Sequence, residues 1–597
     1  MKYCGGVVFL LSFLWFYFPG EYVLMANQDQ SLYFLTLDHF LSYALYPGGV
    51  LEYLGHFLTQ FYRFPLAGAM ILAGVITATY VAVENWAGKL AGARGCFLMT
   101  FMVPLLLLGM HNHYPHQLHQ SLGFLLVMVL LILVPQHRSA QRMFFAAVIP
   151  VLYFVAGGYV LLFCILMLSR ELTVMGNQEA YAKVARGFLS GIEIILWNLL
   201  YPVLIILLGA RFIFLDPLSG LFIDPFPPGD TYPVPYLPWI LIAWLILLTI
   251  LGTGRADRLI PVRGMKRRTL WSRIVPGIAI LGLAGVLLVK YTFNPKNRDF
   301  FTIEHMAVEE DWDGLLGYAD RHPSTNLFGT FYTNLALANQ GLLCTSLFNY
   351  PQVFGPEGLC FGWDAKAEIL KRGSDFFWTI HFVNEAHHWS FESMVVEGFT
   401  IRNLKRLIQT ELVRGNYQVA EKYIGLLDHT LFDRALADHY RSFLFQPERI
   451  REDPELGPAM GIQMDQDFFS EGADLETNLR SMIENDASNM QAYDYLMALL
   501  LLEKEVDGIV ELLPGYLDRS GGKFPRLLEE SLVVYNLLHR EEGIPDIPLS
   551  RNTMQRFTEY SSVLRRARNQ EEAARTLYPV YGNTFWFHMN FTNISIP

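Results

Sequence analysis

The chain has 597 residues, of which 52% are hydrophobic and only 17% charged, against about 25% charged in ordinary soluble proteins. Such a composition excludes a disordered chain, and five cysteines in this length exclude a small disulfide scaffold. The average conceals two halves. Residues 1–293 carry 18 Lys+Arg against 12 Asp+Glu, net +6, and residues 294–597 carry 27 against 44, net −17. The first half reads as membrane, the second as a water-soluble domain whose acidity excludes a nucleic-acid partner.

A membrane span needs about 20 predominantly apolar residues. Such segments fall near 3–19, 65–85, 95–110, 118–135, 189–210, 237–254 and 272–291, with a longer run at 143–169. The first has no small-x-small cleavage site after it and reads as a retained anchor. Residues 20–64 follow as an outer loop with apolar and aromatic residues at helical spacing, as in helices lying on the outer interface. Pro47-Gly48-Gly49 is a turn between two such helices. Asp29, Asp38, His39, Glu52 and His56 cluster in this loop.

An acid beyond the first span, followed by interfacial helices, resembles the plan of the GT-C class of glycosyltransferases that use lipid-linked sugars. The resemblance covers roughly residues 1–70 and the gross layout. It implies a catalytic base at Asp29, with Glu52 as a second candidate, and a polyprenyl-phosphate-linked sugar as substrate. The chain departs from that class in its cations: Arg63 is the chief one in the predicted outer segments of this half. Asp29 as a helix cap is the plainer reading.

His111, His113, His116 and His119 fall within nine residues at an outer membrane edge. Neutral imidazoles bind borderline divalent metals, and imidazolium contacts an anionic head group. Pro115 breaks their helical spacing, so no metal site is assigned and a solvated or cavity-lining interfacial loop is the first reading. His111, His113 and His116 stand with Arg63 as candidate contacts for a lipid phosphate or substrate.

Loop charges set the orientation. The stretch 255–273 holds six arginines and one lysine against Asp257 and reads as cytoplasmic. Residues 212–236 have no Lys or Arg but have Asp216, Asp224 and Asp230, and read as outer. Lys2, Lys89, Arg94, Arg138 and Arg142 mark inner ends. All loops agree only if 143–169 crosses an even number of times. Gly157-Gly158 at its centre predicts two short half-helices, as a hairpin or re-entrant pair. A single tilted helix would invert every later loop. Glu193, near an inner end, is expected to make a structural hydrogen bond. Seven prolines between 212 and 238 exclude regular helix there.

Residues 294–597 read as helices joined by short turns. Paired helices are expected around 311–338, 403–426 and 475–509, with small residues at close contacts and aromatics beside them. This pattern resembles degenerate tetratricopeptide repeats, a solenoid offering a concave partner surface. Cys344 and Cys360 flank a Pro/Gly-rich loop and are a candidate disulfide, with two free thiols as the alternative. Glu385, His388 and Glu392 share one helix face and form a candidate polar cluster, for which a buried network between helices is the first reading, partner contact the second and catalysis or metal binding the third.

Tyr46-Pro47-Gly48-Gly49, His387-His388-Trp389-Ser390-Phe391-Glu392, Arg414-Gly415-Asn416-Tyr417 and Tyr581-Gly582-Asn583-Thr584-Phe585-Trp586 sit on this multi-span-plus-helical plan. Together they resemble a Bacteroidota family of polytopic membrane proteins described as a domain of unknown function. That resemblance implies an inner-membrane protein with a periplasmic domain and supplies no reaction.

The sequence therefore predicts an all-α protein: a polytopic transmembrane helical bundle followed by a soluble, TPR-like α-helical domain. The N-terminus is cytoplasmic and the C-terminal domain periplasmic. The expected partners are the bilayer and a protein held by the helical domain. The leading functional expectation is envelope assembly; a GT-C-like glycosyltransferase or glycan polymerase/ligase is the alternative, and a transporter the third.

Overall fold

The computed structural model describes residues 4–28, 32–90, 97–177, 191–214, 224–225, 236–253, 267–364, 366–462, 474–539 and 547–591. Asp29, Arg94, Lys183, Arg186 and most of the loops at 212–236 and 255–273 lie outside them. Secondary structure among the described residues is helical, with no strand. The chain falls into two compact units, Met1–Arg298 and Asp299–Pro597, five residues beyond the charge division at 293/294.

Unit 1 begins with α1 (Cys4–Tyr17) and α2 (Tyr22–Gln28), bent by 71° to each other. Two short helices follow, α3 (Leu37–Ala44) and α4 (Gly49–Thr59). The longer ones are α5 (Pro65–Lys89), α6 (Leu98–His111), α7 (Leu118–Leu133), α8 (Arg138–Ala156), α9 (Tyr159–Asn177), α10 (Gly191–Phe212), α11 (Tyr236–Thr253) and α12 (Arg267–Thr292). By length and composition α5, α8, α10, α11 and the 275–292 part of α12 can cross a membrane, and the bent pair α1–α2 makes up to six.

Local chemistry explains several boundaries. Pro65 opens α5, where its missing N–H costs nothing. Gln117 and Gln120 form a reciprocal capping box at the start of α7. In α10, Pro202 has no N–H to offer the carbonyl of Asn198. The helix widens there into a π turn over Leu196–Leu200, with the Tyr201 N–H donating to the Leu196 carbonyl.

The run 143–169 is broken at Gly157, whose φ of +55° suits glycine. The helices fold back on each other: Gln141 of α8 donates to Glu171 of α9 at 3.5 Å, far from the turn. The hairpin is therefore formed, but by two 19-residue helices and not by the short half-helices expected. Polar ends, Arg138–Arg142 and Arg170–Asn177, carry both helices beyond the apolar run. Glu193 meets Arg142 at 2.6 Å and Arg138 at 3.5 Å, so it is ion-paired across helices.

The principal helices of unit 2 are α13 (Pro295–Val308), α14 (Trp312–Ala319), α15 (Leu327–Asn339), α16 (Ala367–Thr379), α17 (Val383–Glu397), α18 (Ile401–Val413) and α19 (Tyr417–Leu427). Shorter turns lead to α20 (Leu475–Asn485), α21 (Met490–Glu503), α22 (Val506–Arg519), α23 (Arg526–Leu538), α24 (Arg551–Arg566), α25 (Gln570–Tyr581) and α26 (Phe585–Phe591). Asp311, Asn326, Thr400, Asp474, Asn489, Ser550 and Asn569 cap their helices by accepting a backbone N–H. Consecutive helices from α16 to α19 and from α20 to α23 pack side by side. Gly373 lets α16 press on Trp389 of α17: a Cβ there would lie 2.1 Å from the indole. Ser374 and Ser390 share a hydrogen bond of 2.7 Å beside it.

Unit 2 also closes on itself. Asn489 donates to the Ile380 carbonyl at 2.9 Å, the Phe376 and Tyr495 rings meet edge to face at 4.9 Å, and Asn583 donates to Asn349 at 2.9 Å across 234 residues. The candidate disulfide is not formed. The Cys344 thiol points to the Asp494 carbonyl at 3.5 Å, whereas that of Cys360 faces Phe361, and both remain free.

Glycine contacts fix unit 1, and they give a paired test. Gly48 has φ +91°, and a Cβ on it would sit 3.3 Å from the Gly157 nitrogen, whereas Gly74 in α5 has nothing within 4 Å. Gly48→Ala is expected to cost about 1–2 kcal/mol, while Gly74→Ala is neutral or stabilising by up to about 1 kcal/mol. Thermal melts of the two purified variants in one detergent check this.

Candidate functional site

The ends of the unit 1 helices sort into two sets. At one end Asn112, just after α6, collects three elements. Trp15 donates to its side chain at 2.8 Å, Tyr22 to its carbonyl at 2.6 Å, and Asn112 itself donates to Thr292 of α12 at 2.9 Å. Asn27 of α2 donates to the Tyr114 carbonyl at 3.2 Å. Gly48 donates to the Phe154 carbonyl at 3.1 Å, which brings the Pro47-Gly48-Gly49 turn to the hairpin turn. At the other end Arg138 and Arg142 meet Glu193, Gln141 meets Glu171, and Arg170 lies over Trp86.

The first end holds a chain of polar side chains. Glu52 and His56 stand one turn apart on α4, 3.9 Å apart. Tyr46 donates to Glu52 at 2.9 Å, and the Tyr43 hydroxyl and His56 Nδ1 are 2.6 Å apart. Gly55 brings α4 onto the start of α7: a Cβ on it would lie 2.6 Å from Cβ of His119. The imidazoles of His56 and His119 are 6.5 Å apart. His119 Nε2 meets Asp224 Oδ2 at 2.8 Å, and Gln120 donates to Oδ1 of the same carboxylate at 2.8 Å. A carboxylate only accepts, so the proton of that contact sits on His119 Nε2. Asn27, Gly55, His56, Thr59, Gln117, Leu118 and His119 line a cleft.

The sequence-predicted residues divide. His56, named with the outer-loop cluster, and His119, named in the histidine run, reach the cleft, with Glu52 beside it. Asn27 lines it two residues before Asp29, which lies outside the described residues. Arg63 is exposed at the end of the turn after α4. The expectation that His111 and His116 contact a head group is corrected. Each is 1% exposed, and Ser121 bonds both, at 2.9 and 3.0 Å. They form an internal pair because the turn at Pro115 folds the chain back under them. His113 is half-buried. Sequence reasoning did not pair His119 with Asp224, 105 residues apart; an acidic residue in a basic-free outer loop was the one available signal.

In unit 2, His388 meets Glu385 at 3.4 Å and stacks on Trp363 at 5.0 Å, while Glu392 takes no part in that pair. A larger network was not anticipated. Buried Glu304 lies between Arg372 at 2.9 Å and Arg402 at 3.0 Å and accepts from Tyr332. Asp375 joins Arg402 to Arg406. The guanidinium and Lys371 charges outweigh burial and hold the Glu304 carboxyl at about 2. No group of three or more His, Cys, Asp or Glu fit to hold a metal ion occurs among the described residues.

A family of unknown function, DUF6057, matches residues 1–592. The chain belongs to the DUF6057 family. No curated protein and no solved structure matches it. In this DUF6057 chain, then, the cleft and the buried network rest on geometry alone.

Glu530 gives a pH test. Its side chain is fully buried; one oxygen accepts the Phe585 N–H at 2.8 Å, and Arg526 and Arg556 stay 3.7 and 3.8 Å away. Burial pushes its carboxyl up to about 7. An acid with a raised folded value stabilises fully below its unfolded value of about 4.3, and that contribution is lost as pH rises through about 7. Between those pH values wild type is expected to lose on the order of 3 kcal/mol relative to Glu530→Gln. Urea melts of both proteins across that range read the difference.

Proposed function

We propose that this is an integral inner-membrane protein, N-terminus inside and residues 294–597 in the periplasm, serving envelope assembly through a partner bound by its helical domain. The sorting of helix ends carries the orientation. Segments whose loops are poor in Lys and Arg, Arg63 being their chief cation, gather around Asn112 and His119. Ends bearing Arg138, Arg142 and Arg170 gather at the opposite end, as the positive-inside pattern requires. Leu37, Leu41 and Leu45 are exposed along one stripe of α3, which suits a helix lying in the outer interface. TPR-like helix pairs suit partner binding, and Trp363, Phe391, Val395 and Val396 leave an apolar patch exposed on and beside α17.

The reading is tested in a cysteine-free background with a membrane-impermeant maleimide. Asp230→Cys and Asp313→Cys should label in cells with a permeable outer membrane, and Ser139→Cys only after the inner membrane is opened. Labelling of Ser139→Cys in sealed cells would overturn the orientation. Phe391→Ser with Val395→Glu is expected to abolish partner cross-linking to the purified protein without lowering its melting temperature.

A second reading is a GT-C-like enzyme using a lipid-linked sugar. The position of the His119–Asp224 pair beside Asn27, at the end that reads as outer, favours it. Asp29→Asn or Asp224→Asn should then alter surface glycan products; unchanged products in both variants remove this reading.

A further inference from the structure

We propose that the corner between α24 and α25 is an electrostatic docking surface for an anionic phospholipid bilayer, made by Arg565, Arg566, Arg568 and Arg575. The charge of the second half is unevenly spread. Residues 294–546 carry 21 Lys+Arg against 41 Asp+Glu, net −20, whereas residues 547–597 carry six arginines against three glutamates, net +3. Arg565 and Arg566 end α24, Arg568 stands in the turn, and Arg575 lies within about 10 Å of the turn along α25. All four are exposed, and none of their side chains makes a hydrogen bond or ion pair among the described residues. Other arginines of unit 2 are spent on carboxylates, as Arg372 is on Glu304, Arg441 on Asp428 and Arg480 on Glu476. Two acids share the corner, Glu571 and Glu572. Both stand in the first turn of α25, where a carboxylate favours the helix, and Glu572 accepts the Arg568 backbone N–H at 3.0 Å.

The make-up of the corner narrows the partner. A guanidinium presents a planar fork that matches phosphate oxygens. A specific protein interface needs a buried apolar or aromatic anchor, and between 555 and 577 no large apolar side chain is exposed. A charged bilayer needs none: each basic residue near its surface strengthens binding about fivefold through the surface potential. The acidic remainder of unit 2 is repelled by such a surface, so the four arginines also choose which face approaches it. α13 starts three residues after α12, whose 275–292 part can cross a membrane. That tether raises the effective concentration of lipid and makes a weak contact sufficient. The tether step rests on the membrane reading of α12, which the maleimide labelling tests separately; the charge argument concerns unit 2 alone.

The test uses full-length protein in phosphatidylcholine nanodiscs, with a fluorophore on Gln570→Cys in the cysteine-free background. Added vesicles carry a lipid with a spin-labelled head group, which quenches the fluorophore when the corner meets their surface. Vesicles of equal parts phosphatidylglycerol and phosphatidylcholine are expected to quench saturably, and vesicles of phosphatidylcholine alone to bind at least about tenfold more weakly. Arg565→Gln, Arg566→Gln, Arg568→Gln and Arg575→Gln together, which keep helix propensity, should weaken binding at least about tenfold. Removing as many charges elsewhere, by Arg434→Gln, Arg449→Gln, Arg451→Gln and Arg519→Gln, should leave it within about twofold of wild type. Inorganic phosphate should displace the vesicles no better than chloride at equal ionic strength. Equal quenching by both vesicle types, a corner variant that binds as wild type, or a control variant weakened as much as the corner variant would each overturn the proposal. So would selective displacement by phosphate, the mark of a free-anion site, or self-association of the discs that the corner substitutions abolish, the mark of a second copy.

Discussion

Unit 1 depends on one close approach: the turn at Pro47-Gly48-Gly49 against the hairpin turn at Gly157. Both Gly48 and Gly157 have positive φ; a Cβ on Gly48 would lie 3.3 Å from the Gly157 nitrogen, and one on Gly157 3.0 Å from the Pro47 carbonyl oxygen. Small residues let helix backbones approach closely, and that proximity orders their packing. Gly55 at His119 and Gly123 at Tyr159 extend the same device along α4 and α7. Tyr159 completes it by donating to the Gln120 carbonyl at 2.6 Å. The cleft follows from these contacts, because they bring α4 down on the first turn of α7, where His119 sits.

Unit 2 is organised by a different constraint. Glu304 comes from α13, Arg372 and Asp375 from α16, Arg402 and Arg406 from α18, and Tyr332 from α15. A buried ion network gains less than its Coulomb energy suggests, because each charge also loses its hydration. Its effect is on geometry: removing one partner leaves another charge unpaired, so the helices meet in one register. Nearest-neighbour packing alone would allow a chain of helix pairs to slide or open. The network, with the contacts from Asn489 to Ile380 and from Asn583 to Asn349, closes the array.

Much of this was legible in the sequence, for physical reasons. Apolar runs of span length, paired glycines and charge-poor loops are local signals, and they located the helices of unit 1 and the break at Gly157. Side-chain caps such as Thr400 and Asn489 are local too. What stayed hidden was long-range pairing. Nothing within a few residues of His119 points to Asp224, and nothing near Glu304 points to Arg402. Local spacing also misled where a turn intervened. Four histidines in nine residues look alike, yet Pro115 sends His111 and His116 inward to Ser121 and leaves His119 at the cleft.

The placement of polar groups in unit 1 follows from the cost of burying a donor or acceptor without a partner. Asn112 spends its carbonyl, amide and side-chain oxygen on Tyr22, Thr292 and Trp15, tying the neighbouring α1 and α2 to the distant α12. Thr79, Asn198 and Thr249, buried within the long helices, turn back to carbonyls of their own preceding turns. Polar side chains in mid-helix are thus consumed locally, whereas those at the Asn112 end tie elements together. A helix middle can hide a hydroxyl but cannot easily build a site from it, since the local carbonyl takes its hydrogen bond. The helix ends, where turns and side chains converge, are where polar groups of distant elements meet, as His119 and Asp224 do.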